Sequence, residues 1–149
     1  MEKFITKSSA KTKEMAAKFA QQILLSNTGK TALILGLQGD LGAGKTTFLQ
    51  GFAKGLKIKE KINSPTFVIM KRFEIKNTHF KNFYHFDCYR LNEPEEILDL
   101  GFKKIISNPE NIVAIEWPEK IKKVLPKNIL EIKFKHLEEN KREIIIDNL

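Results

Sequence analysis

The stretch TALILGLQGDLGAGKTTFLQGFAKGL, residues 31–56, decides the fold of this 149-residue chain. It opens with a continuous apolar run, passes through a glycine-rich turn and ends in a segment with helical spacing. An apolar run of this kind is typical of a strand that is covered on both faces, as in a parallel sheet. The stretch therefore predicts a buried strand, a tight loop and a helix that runs from about Lys45 to Gly55.

The turn within this stretch matches the phosphate-loop pattern G-x-x-x-x-G-K-[ST] at every fixed position. Its residues are Gly39, Asp40, Leu41, Gly42, Ala43, Gly44, Lys45 and Thr46. Glycines let the backbone turn its N–H groups towards a β-phosphate, and the positive end of the following helix points at the same oxygens. We therefore expect Lys45 to reach the β- and γ-phosphates of a nucleotide and the hydroxyl of Thr46 to ligate Mg²⁺.

The rest of the chain alternates between helical and strand patterns. Ser8 or Ser9 is expected to cap an amphipathic helix, and Gly101 to divide two short helices, which precede a further helical piece that ends at Val124. The predicted strands are Lys3–Thr6, Phe67–Ile75, Phe80–Asp87, Asn111–Glu116, Ile129–Phe134 and Glu143–Asp147, with turns at Asn77-Thr78 and at HLEEN (136–140). This succession predicts a single α/β domain of the phosphate-loop NTPase type, with a mixed, mostly parallel central sheet flanked by helices.

Composition restricts the class of protein. The formal net charge of +8 favours anionic partners, although Lys, Ile and Asn are common throughout, so a compositional bias explains the charge equally well. The single cysteine, Cys88, has no partner for an intramolecular disulfide, which favours a reducing cytoplasm. No apolar run reaches the roughly 18 residues of a membrane span, and the N-terminus lacks the apolar core of a signal peptide.

Two acidic residues stand at the ends of predicted strands, where a Mg²⁺–nucleotide site needs a carboxylate. Asp87 follows FYHF and Glu116 follows IVAI, so either residue qualifies to hold the metal or to act on the attacking water. His85 lies two residues before Asp87 on the same strand face and is a candidate to support the site from behind. Trp117 is expected to stack near the site or to join the core.

Two absences narrow the nucleotide class. The chain has no Asn-Lys-x-Asp, the guanine-reading motif of typical GTPases, so ATP is favoured. Its three arginines are few for the lid of a small-molecule kinase, in which arginines clamp the transferred phosphate. A small-molecule phosphotransferase is the alternative that the loop allows, and the charge allows a nucleotide-dependent RNA-binding module.

Four strings in order resemble the bacterial TsaE family: GDLGAGKTT (39–47), SPTF (64–67), HFDCYRL (85–91) and IEWPE (115–119). The resemblance implies an ATPase of tRNA threonylcarbamoyladenosine biosynthesis that uses Mg²⁺. It also implies that the protein works with TsaB and TsaD on adenosine 37 of tRNAs that read codons beginning with A. We expect such a protein to hydrolyse ATP weakly alone and to meet tRNA through the complex.

The resemblance also implies roles for individual residues. Residues 39–47, with Thr47 as the last, would hold the phosphates, Thr46 and Glu116 would bind Mg²⁺, and Asp87 would be the catalytic residue. Ser64 and Thr66 resemble a switch segment that senses the γ-phosphate. Arg90 is a candidate for steadying the transition state, with a structural ion pair as the alternative.

Overall fold

Strands and helices alternate along most of the chain. The computed structural model describes residues 1–63, 69–77 and 79–148. In these ranges the strands are β1 (Glu2–Thr6), β2 (Leu33–Gln38), β3 (Met70–Glu74), β4 (Asn82–Asp87), β5 (Asn111–Glu116), β6 (Leu130–Glu138) and β7 (Lys141–Asp147). The α-helices are α1 (Ser9–Leu25), α2 (Lys45–Gly55) and α3 (Phe102–Ser107), and 3-10 segments cover Pro94–Leu100 and Pro118–Val124.

The strands of the described residues form one mixed sheet in the order β1-β7-β6-β2-β5-β4-β3. The central pairs β6·β2, β2·β5 and β5·β4 are parallel, whereas β1·β7, β7·β6 and β4·β3 are antiparallel. The predicted fold class, a single α/β domain with a mostly parallel centre, is therefore confirmed.

The central strands are apolar along their whole length because helical elements cover both of their faces. All six residues of β5 are buried, and so are the four inner residues of β2. Helices α1 and α2 pack on one face around Phe48, Phe52 and Phe83, and α3 and the 3-10 segments pack on the other around Phe86 and Phe102. On this second face, Ile129 packs directly on Gly36 of β2, since an added Cβ would lie 3.1 Å from the Ile129 side chain.

Two glycines let α1 cross α2 at very short range. A Cβ at Gly51 would lie 2.4 Å from the carbonyl oxygen of Lys13, and one at Gly55 would lie 2.4 Å from that of Ala17. Only glycine permits this approach of two backbones. The contact fixes α2 against α1, and α2 is the helix that begins at the glycine-rich loop.

Most of the predicted boundaries are confirmed, including those of α2 and β5, the Ser8 cap of α1 and the division at Gly101. The predicted Phe80–Asp87 strand begins at Asn82. The predicted turn HLEEN is wrong in part, because His136 pairs with Arg142 and the ladder continues to Glu138. Backbone pairing extended these strands beyond their apolar pattern.

Candidate functional site

A glycine-rich loop joins the end of β2 to the start of α2. Gly39, Gly42 and Gly44 have φ angles of 155°, 80° and 105°, a region that side chains rarely enter. At Gly39 a Cβ would also lie 2.9 Å from the carbonyl oxygen of Phe134, so β6 packs directly on the first residue of the loop. The loop can keep this path only with glycine at these positions.

The N-terminal end of α2 faces the cavity beside the loop. Gly44 is the N-cap residue and makes no side-chain capping hydrogen bond, and the first turn has no acidic residue. The first N–H groups of a helix have no acceptor within the helix, and the helix dipole adds positive potential at this end. The geometry is that of an anion-binding helix terminus.

Lys45 lies at the centre of the site and is buried. Its Nζ donates a hydrogen bond of 2.5 Å to the carbonyl oxygen of Gly39 and lies 3.7 Å from the ring centroid of Trp117. Burial lowers the pKa of Lys45, and the nearby carboxylates, Glu116 first, oppose that shift. The ammonium is therefore held between the loop and the residue that follows β5.

The two predicted carboxylates stand side by side across the β4·β5 pair. Asp87 is in register with Glu116, and both lie on the sheet face that α2 covers. Burial raises the pKa of Asp87, against the effect of the Tyr89 N–H, which donates to its Oδ1 at 3.1 Å. Glu116 is almost fully buried, and its Oε2 lies 2.7 Å from Nε2 of His85.

A cavity of about 480 Å³ brings most of the predicted site residues together. Those that line it are Leu41, Gly42, Gly44, Lys45, Thr46, Thr47, Asp87, Arg90 and Glu116. Gly39, Asp40 and Ala43 do not line it. Ala43 packs in the core, and its backbone N–H donates to the backbone carbonyl oxygen of Asp40, a contact within the turn of the loop. The predicted switch residues Ser64 and Thr66 lie outside the described residues.

Part of the lining of this cavity is not predictable from the sequence. It comes from the start of α1 and from the β6–β7 hairpin and consists of Ser8, Ser9, Thr12, Asn140 and Arg142. Arg142 leans over the loop, with Nη2 donating to the carbonyl oxygen of Gly42 at 3.4 Å. In the sequence, Arg142 stands out only because the chain has few arginines. The pattern around Ser8 indicates a helix cap and nothing more.

The described residues contain no cluster of three or more His, Cys, Asp or Glu side chains that could hold a metal by itself. Any cation at this site would need other oxygen ligands beside Glu116, and the hydroxyl of Thr46 and a phosphate are of the kind that Mg²⁺ takes. Within the same residues, no helix is both long enough and apolar enough to cross a bilayer.

The fold and the loop define an α/β protein in which the central strand β2 leads through a glycine-rich turn into the N-terminus of α2. The family model described as "Threonylcarbamoyl adenosine biosynthesis protein TsaE" matches residues 6–144 of the chain. The chain therefore belongs to this family. The resemblance seen in the four sequence strings is thereby confirmed. The family takes part in tRNA threonylcarbamoyladenosine biosynthesis.

Individual relatives agree with this assignment. The chain is 40% identical over 136 residues to a "tRNA threonylcarbamoyladenosine biosynthesis protein TsaE" of Rickettsia typhi, covering 91% of this chain and 87% of the relative. The protein of that name from Bacillus subtilis is 41% identical over 111 residues, which are 74% of this chain and 66% of the relative. The crystal structure of Bacillus subtilis YdiB has a TM-score of 0.71 and 32% identity, covering 97% of this chain and 83% of that one.

Proposed function

We propose that this protein is a Mg²⁺-dependent ATPase of tRNA threonylcarbamoyladenosine biosynthesis. One observation carries the proposal: Lys45, Asp87 and Glu116 line a single cavity beside the N-terminus of α2. A cation, two carboxylates and a helix terminus around one glycine-rich loop suit a Mg²⁺–nucleotide better than any uncharged ligand. The reaction we assign is hydrolysis of the terminal phosphate.

The residues would act as follows. The loop from Gly39 to Thr47 would hold the phosphates through its N–H groups, and Lys45 would leave the Gly39 carbonyl for the β- and γ-phosphates. Thr46 and Glu116 would hold Mg²⁺, whose contribution is to neutralise charge on the phosphate oxygens. The raised pKa of Asp87 makes this carboxylate a better proton acceptor than an exposed one, which suits a residue that orients and activates water.

The part of the lining that comes from α1 and the β6–β7 hairpin would take the nucleoside. Ser8, Ser9, Asn140 and Arg142 provide hydroxyl, amide and guanidinium groups, while the two acidic residues of the described lining, Asp87 and Glu116, end the neighbouring strands β4 and β5. Guanine presents two adjacent N–H donors that a carboxylate binds well, and the described lining has no carboxylate besides Asp87 and Glu116, which we assign to the water and the metal. Adenine therefore fits better, in agreement with the missing guanine-reading motif.

The partners we propose are TsaB and TsaD, with tRNA reached through their complex. Support comes from the family to which the chain belongs and from the geometry of the loop, which suits a phosphate group better than the bases of an RNA. The same pathway would place the protein in the cytoplasm, where tRNA is modified. The exposed lysines would then favour encounters with an anionic complex without selecting a sequence.

Steady-state ATP hydrolysis tests the proposal, with the protein alone and with TsaB, TsaD and tRNA added. We expect slow turnover alone and stimulation by the partners, with both abolished in Lys45→Ala. Turnover that the partners leave unchanged would contradict the proposed coupling. A phosphorylated metabolite formed from ATP in cell extract would instead support the phosphotransferase alternative.

A further inference from the structure

We infer that His85 is a positioning residue for the metal site. His85 holds the carboxylate of Glu116 in the orientation that presents its second oxygen to the cation. The inference rests on the proposed function and assigns to His85 a role that the loop chemistry does not. It is carried by the contact between two buried side chains, His85 Nε2 and Glu116 Oε2, at 2.7 Å.

The register of the sheet creates this contact. His85 on β4 is directly opposite Ala114 on β5, and Glu116 is the next residue of β5 on the same face. The two side chains nevertheless reach each other, since His85 Nε2 and Glu116 Oε2 are 2.7 Å apart. Because Ala114 has only a methyl group, the imidazole can extend along the strand direction to Glu116.

Burial makes the contact necessary. His85 is 2% exposed and Glu116 is 3% exposed, so the protein itself must supply most of the hydrogen bonds that the carboxylate needs. A buried carboxylate without a donor is costly, and the N–H of His85 provides that donor. One oxygen of Glu116 is thereby occupied, and the carboxylate cannot rotate freely.

Chemistry then follows from the geometry. With Oε2 bound to His85, Oε1 is the oxygen left for a ligand in the cavity that Glu116 lines. A carboxylate held in this way binds a cation through one oxygen, as Mg²⁺ sites with few protein ligands require. Hydrogen bonds to metal-binding side chains usually change metal affinity about 10–100-fold.

Direct Mn²⁺ binding tests this role without relying on turnover. Mn²⁺ would be titrated by electron paramagnetic resonance in the presence of a non-hydrolysable ATP analogue. We expect His85→Phe, which keeps the ring and removes the donor, to raise the Mn²⁺ dissociation constant about 10–100-fold. His85→Gln, whose amide nitrogen replaces Nε2, should bind Mn²⁺ more tightly than His85→Phe does.

Two controls separate positioning from a structural effect. His136→Phe alters an exposed histidine of β6 and should leave Mn²⁺ binding unchanged. Binding of the analogue in EDTA should be the same in His85→Phe and in the wild type, because the phosphates do not contact His85. Wild-type Mn²⁺ affinity in His85→Phe, or an equal loss of metal-free binding, would overturn the inference.

A double variant keeps the test decisive if His85→Phe alone does not fold. The chain carrying both His85→Phe and Glu116→Gln has no stranded carboxylate, and its Mn²⁺ affinity should equal that of Glu116→Gln. A further loss in the double variant would show that His85 acts independently of Glu116 and would overturn the inference. A wild-type chain that binds no Mn²⁺ with the analogue would overturn the proposed function, and the role of His85 with it.

Discussion

Replacing Gly51 with alanine should destabilise the protein, although alanine is the better helix former. The added Cβ would lie 2.4 Å from the Lys13 carbonyl oxygen and 2.5 Å from Lys13 Cα, both backbone atoms. Restoring an ordinary 3.4 Å contact requires α1 to move by about 1 Å, since no side chain can rotate away. Overpacking of this kind costs about 1–3 kcal/mol, and the helix propensity of alanine returns about 1 kcal/mol.

Because the clash is with backbone atoms, we place its cost at the upper end of this range and expect Gly51→Ala to lower the free energy of unfolding by about 2 kcal/mol. For a domain of this size, such a loss lowers the melting temperature by about 4–8 °C. Urea titration and calorimetry would measure both quantities. Gly29→Ala is the matched control, because its Cβ would come no closer than 4.0 Å to the nearest atom, Thr31 O. A Gly51→Ala chain as stable as the wild type would refute the close crossing of α1 and α2.

Three further predictions concern the site, and a fourth concerns a buried cysteine of the core. Lys45→Ala should abolish ATP binding without unfolding the chain, as measured by calorimetric titration beside circular dichroism. Glu116→Gln should raise the Mg²⁺ concentration for half-maximal turnover, and unchanged metal dependence would refute its assignment. Asp87→Asn should still bind ATP but hydrolyse it slowly. Because burial raises the pKa of Asp87 in the folded chain, ionisation of this carboxyl group lowers stability as the pH rises through that pKa. Asp87→Asn should therefore have a higher melting temperature than the wild type at neutral pH but not at acid pH. Cys88, whose pKa burial raises to about 12, should react with a thiol reagent only at the rate of unfolding.

Local patterns predicted the parts of the site that lie within one stretch of chain. The loop and α2 were predictable because glycines and an apolar run determine both the turn and the helix, and β5 because all of its residues are buried. The acidic residues at strand ends were found because parallel strands bring their carboxyl ends to one edge.

Contributions from the chain termini were not predictable in the same way. Arg142 reaches the loop because β7 lies beside β6, and Ser8 because α1 crosses α2, and neither arrangement leaves a local pattern. The hydrogen bond between His85 and Glu116 depends on the register of two strands, of which the sequence indicates only the existence. Trp117 adopts a φ of 60°, which is uncommon for a bulky residue, and its backbone N–H donates to the carbonyl oxygen of Leu37.

The sheet order has a consequence for how the protein is made. β2, which leads into the loop, pairs with β5 on one side and β6 on the other, and both of those strands are encoded far downstream. While the ribosome is still synthesising the middle of the chain, β2 has neither of the strands with which it pairs. The sheet around the loop is complete only after β6 has left the ribosome, and an unpaired strand is prone to aggregation until then.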